Sequence, residues 1–104
     1  MKKILTTILV TIFSSLLSQN CETLIPEIYI SDKAKVIYET KLAEAKLNFS
    51  KDPSADNLIW LGRRTAYLGN YEDAIEIYSK GIDQFPKDAR FYRHRGHRYI
   101  SSRC

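Results

Sequence analysis

The groups able to grip or transform a ligand crowd into the last stretch of the chain. Residues 88–104 hold five arginines, both histidines and Cys104, against a single carboxylate, Asp88. Laid on a helix, Arg90, Arg93, His94 and His97 fall within an arc of about 100°. Arg63 can join the same patch from earlier in the chain. Clustered guanidinium groups take carboxylates in forked, two-bond geometry. The expected chemistry is therefore recognition of an anion by Arg63, Arg90, Arg93 and His97; the alternative is a solvated basic face. His94-x-x-His97 has a helical spacing that could hold a metal with Cys104, but no third ligand is firm, and no metal is expected. Nor is an enzyme expected. The chain has no glycine-rich phosphate loop, no nucleophile elbow, and no His or Cys beside an orienting acid. No cofactor is implied. Five arginines could attract phosphates, but the export signal described next argues against a nucleic-acid partner.

The basic segment is local. Net charge is +4 over 104 residues, yet residues 19–87 carry 9 Lys/Arg against 11 Asp/Glu. Lys2 and Lys3 precede an apolar run over residues 4–17, and Ser18-Gln19-Asn20 follow. A charged start, a short apolar middle and a polar end form the layout of a secretory signal. The run is shorter than the roughly 20 residues that span a bilayer. Residues 1–19 are read as a signal peptide and the protein as exported to the periplasm, cell envelope or extracellular space. Membrane attachment is expected only if the signal stays uncleaved or Cys21 is lipidated; Asn20 stands where a lipobox wants a small residue. Cys21 and Cys104 lie at opposite ends, and no bridge between them is expected.

The positioning elements read as helices throughout. Residues 20–30 form an extended lead-in with Pro26. Residues 31–52 form an N-terminal helix capped by Ser31 or Asp32. Its predicted buried stripe is Ala34, Tyr38, Leu42, Ala45 and Phe49. It stops before Pro53, because a residue preceding proline is pushed out of the helical region. A second helix starts near Ser54, with Leu58, Leu61 and Thr65 on one side, and closes at Leu68-Gly69-Asn70. A third runs over residues 71–84 with Ala74, Ile75, Tyr78 and Ile82 as its apolar face and Glu72 and Asp73 in its first turn, where the dipole favours negative charge. A fourth runs from Asp88 to about Ser102.

These helices repeat. Gly62 and Gly96 stand 34 residues apart, and Leu58-x-x-Leu61-Gly62 matches Tyr92-x-x-Arg95-Gly96 at that offset. Ala55 and Ala89 pair likewise, with Gly69, Ala74-x-x-x-Tyr78, Gly81 and Pro86 between the copies. A 34-residue period with small residues at fixed places signals a helix-turn-helix repeat. Over residues 54–103 the chain resembles the tetratricopeptide repeat (TPR) family, with Leu58 in the family's Trp place and Thr65 in its Tyr place. The resemblance implies an all-α fold of antiparallel helix-turn-helix repeats, a TPR-like α-solenoid of about one and a half repeats plus a preceding helix. Residues 54–87 would be one repeat, residues 88–104 the first helix of another or a capping helix, and residues 31–52 a degenerate half-repeat. It further implies that Leu58, Leu61, Gly62, Gly69, Ala74, Tyr78, Gly81, Pro86 and Gly96 serve repeat packing. Gly62 and Ala74 would be the small sites of one helix crossing, and Gly81 would admit the helix bearing Phe91.

The same resemblance implies a function. TPR arrays hold other proteins in a concave groove lined by the first helix of each repeat. The groove-facing places here would be Asp56, Ile59, Arg63 and Ala66, then Arg90, Arg93, His97 and Ile100. The expected partner is another protein or peptide, an acidic one if the basic groove is used. Gly96 has no following helix to meet, which favours an array continuing beyond Cys104. In a terminal capping helix Phe91 and Tyr99 would also be partly exposed. The alternative is the N-terminal part of a larger exported protein whose further portion carries an enzyme activity.

Overall fold

A computed structural model describes residues 29–102 of the chain. It is all-α, and among the described residues there is no strand. Helix α1 spans Asp32–Lys51, α2 Ala55–Tyr67, α3 Tyr71–Gln84 and α4 Ala89–Ser102. The signal, the lipidation question at Cys21, and Cys104 lie outside these residues.

Local chemistry sets each helix end. Ser31 Oγ accepts from the Ala34 backbone N–H at 3.2 Å, and Ser54 Oγ from Asn57 at 3.2 Å. Each satisfies a donor that the first helical turn leaves free. Asp52, ahead of Pro53, is extended, which ends α1. The Asn57 side chain then donates to the Asp52 carbonyl at 2.8 Å and ties the α1–α2 turn. Gly69 closes α2 with φ 83, a conformation glycine adopts without a Cβ clash. Its N–H reaches the Ala66 carbonyl at 2.9 Å. At the start of α4 the Asp88 carboxylate accepts from the Arg90 N–H at 3.1 Å.

Connections this short make successive helices antiparallel neighbours. Helix α1 packs on α2, α2 on α3 and α3 on α4, while α2 also touches α4. The two members of the sequence repeat, α2 and α4, therefore lie alongside one another and run the same way. The core comprises Leu58, Ile59, Ala66, Ala74, Tyr78 and Phe91, with Leu61 and Ile82 packed at its edge.

Glycine governs two helix contacts. A methyl group on Gly62 would strike the Tyr78 ring, and one on Gly81 the Phe91 ring. Tyr78 and Phe91 are the largest side chains that are fully buried. The group lying against Gly62 is thus the Tyr78 ring, where the family pattern pointed to Ala74; Ala74 is itself completely buried. Gly81 admits Phe91 as expected.

One expectation is overturned. Phe91 is fully buried, not partly exposed: it fits against Gly81 of α3, stacks on Phe85 at 5.9 Å and belongs to the core shared with α2. Tyr99 is exposed, as expected. The predicted α1 stripe is the face turned inward: Ala45 is buried and Ala34, Tyr38, Leu42 and Phe49 are half-buried, while Val36, Ile37 and Leu47, off that stripe, are exposed, because α2 is the one described helix that covers α1. Gly96 has nothing within 4 Å of where a Cβ would stand. Pro86 is exposed and acts in the turn after α3.

Candidate functional site

The side-by-side placement of α2 and α4 brings residues one period apart together. Arg63 and His97 both line a cavity of about 250 Å³, along with Ala66, Tyr67, Tyr78, His94 and Arg98. Helix α2 supplies Arg63, Ala66 and Tyr67, α3 supplies Tyr78 as the floor, and α4 supplies both histidines and Arg98. No carboxylate lines it.

Arg63 is held rather than loose. Its Nε and Nη2 donate to the Tyr67 hydroxyl at 3.1 and 2.9 Å. Its guanidinium carbon lies 4.3 Å from the centre of the Trp60 ring, a cation–π distance. Arg98 lies over Tyr71 at 5.3 Å. The His94 ring stacks on Tyr78 with centroids 5.5 Å apart and planes at 23°.

The electrostatics follow from this packing. Burial pushes the Tyr78 phenol up to about 12, against the opposing pull of Arg98 and Arg63. Burial also holds the His94 pKa below the usual imidazole value, reinforced by the charges of Arg63, Arg93, His97 and Arg98. At neutral pH the cavity presents two fixed cations beside an uncharged His94.

Two of the four expected anion-binding residues meet here, Arg63 and His97. Arg90 does not. Its Nη1 donates to Asp56 at 2.7 Å, its Nη2 donates to Asp88 at 2.7 Å, and its Nε also reaches Asp88. Those carboxylates hold Arg90 charged, and the hydrogen bond from Arg90 holds Asp88 below its ordinary value. Arg90 is thereby neutralised within the fold. Arg93 is exposed and is not among the cavity residues. The residue that sequence reasoning passed over is Arg98. It sits one turn beyond His94, and extending the helical arc by four residues would have included it.

A second cavity, of about 210 Å³, lies between α1 and α2 and includes Trp60, Lys41 and Glu44. There Lys41 is already paired with Glu44 at 3.1 Å. Among the described residues no group of three His, Cys, Asp or Glu side chains is placed to hold a metal. The α2–α4 cavity is lined by two guanidinium groups and two imidazoles and by no carboxylate.

Compared with known proteins, the chain matches no family model, no curated protein and no solved structure.

Proposed function

We propose that the protein is an exported, TPR-like scaffold that holds an anionic peptide or protein tail in the groove between α2 and α4. The observation that carries this reading is the cavity where Arg63, His97 and Arg98 converge with no carboxylate among its lining. The 34-residue period and the antiparallel helix pairs support the scaffold part of the reading. Export rests on Lys2, Lys3 and the apolar run over residues 4–17. No described helix is long and apolar enough to cross a membrane.

The test is binding of an acidic peptide to the full chain, followed by calorimetry. A charge-assisted hydrogen bond contributes about 1.5–3 kcal/mol, so Arg63→Ala or Arg98→Ala should weaken binding by about tenfold or more. Arg90→Ala should change affinity little, since its guanidinium is already engaged. Raising the salt should weaken binding, because screening shortens to about 8 Å at physiological ionic strength. Binding that ignores both salt and Arg63→Ala refutes the reading.

A further inference from the structure

The α2–α4 cavity contains a proton acceptor that the anion-binding reading leaves unused. His94 lies flat on Tyr78, which is 1 % exposed. From α2, Arg63 and the Tyr67 phenol share the cavity with it; from its own helix, Arg93, His97 and Arg98 act on it. From α3 the facing titratable group is the Tyr78 phenol, which burial keeps protonated. None of these groups is a carboxylate. A proton on His94 would therefore add positive charge beside the Arg63 and Arg98 guanidinium groups, with no carboxylate in the cavity lining to offset it.

An anion seated in the cavity reverses that balance. Its charge offsets Arg63 and Arg98 and makes an imidazolium favourable, and the added N–H then serves the anion in turn. Resting on the reading proposed above, we infer that the cavity takes up its anion together with a proton on His94, so that capture tightens as the surroundings acidify. His94 is thus a positioning and gating group, and Arg63 and Arg98 are the fixed anchors. The only bonds that change are an O–H of hydronium or the buffer acid, which breaks, and the N–H formed as its proton passes to the imidazole.

The size of the effect follows from linkage. An opposite charge within about 4–6 Å moves a titrating group by one unit or more. A one-unit rise in the His94 pKa on binding corresponds to about tenfold tighter binding on the acid side than on the alkaline side. Carboxylates ionise near 4, so an oligo-glutamate peptide keeps its charge over this range and is the probe of choice.

The experiment is titration calorimetry of the full chain with that peptide, from about pH 8 to about pH 5.5, in two buffers of different ionisation heat. Net proton uptake peaking at about half a proton per peptide, with affinity rising by up to about tenfold toward acid, is the expected result. His94→Gln should still bind, with the uptake gone, while His97→Gln should keep most of it. NMR titration of the His94 ring in the wild-type chain reads the same shift without a variant. Binding with no proton uptake, or a His94→Gln chain with full pH dependence, overturns the inference and leaves the anion site standing. Binding absent at every pH, or indifferent to Arg63→Ala, removes the site itself.

Discussion

Replacing each of three helical glycines by alanine separates close packing from backbone preference. Within a helix the exchange favours the folded state by about 1 kcal/mol through propensity alone. At Gly96, where a methyl group meets nothing within 4 Å, that gain should appear undiminished. At Gly62 the methyl would strike Tyr78, whose Cζ lies 2.7 Å from the new carbon. Ordinary carbon–carbon contact needs about 3.5–4.0 Å, so the ring must retreat by roughly 1 Å. It has little room to do so, since Tyr78 is 1 % exposed and is pressed by His94 from α4. Overpacking of this kind costs about 1–3 kcal/mol. The propensity gain is common to both variants, so their difference isolates the collision. Thermal melts should place Gly96→Ala above Gly62→Ala by about 4–8 °C for each kcal/mol of that difference. Gly81→Ala, facing Phe91, should fall with Gly62→Ala. If all three variants gain stability alike, the close approach of α2 to α3 and of α3 to α4 is wrong.

Further outcomes follow from the same contacts. Because the folded His94 pKa is depressed, the unfolded chain binds its proton first; ligand-free stability should fall as pH drops below about 6.5, and His94→Gln should flatten that slope in urea melts. Ser54→Ala removes the acceptor for the Asn57 N–H and should cost about 1 kcal/mol, read as a lower urea midpoint. Asp56→Ala breaks the ion pair to Arg90, but both side chains are well exposed, so the midpoint should move little and less at high salt.

How far the sequence reveals this molecule depends on the range of each interaction. Ser31, Ser54, Gly69 and Pro53 act on their immediate neighbours, and the helix ends stand within about a residue of where those side chains predict. The contact of Gly81 with Phe91 spans one turn and was equally readable. The anion site was half readable. The 34-residue offset placed Arg63 and His97 on corresponding faces, and the fold brought them into one cavity. That same offset also set Asp56 opposite Arg90, and the two charges cancel. A helical arc drawn on α4 alone cannot register such a partner. Arg98 was passed over because the arc was centred on Arg90. On α1 periodicity picked out the inward stripe, all of it buried or half-buried, while the apolar Val36, Ile37 and Leu47 off that stripe are left exposed with one described helix as cover.

The Arg63 side chain links two parts of the molecule that would otherwise be read separately. Its guanidinium borders the cavity and at the same time rests on Trp60, the one tryptophan in the chain. Any guest that draws this arginine inward strips a cation from the indole face. The protein therefore carries a native fluorescent reporter, whose emission should change on occupancy with no dye attached.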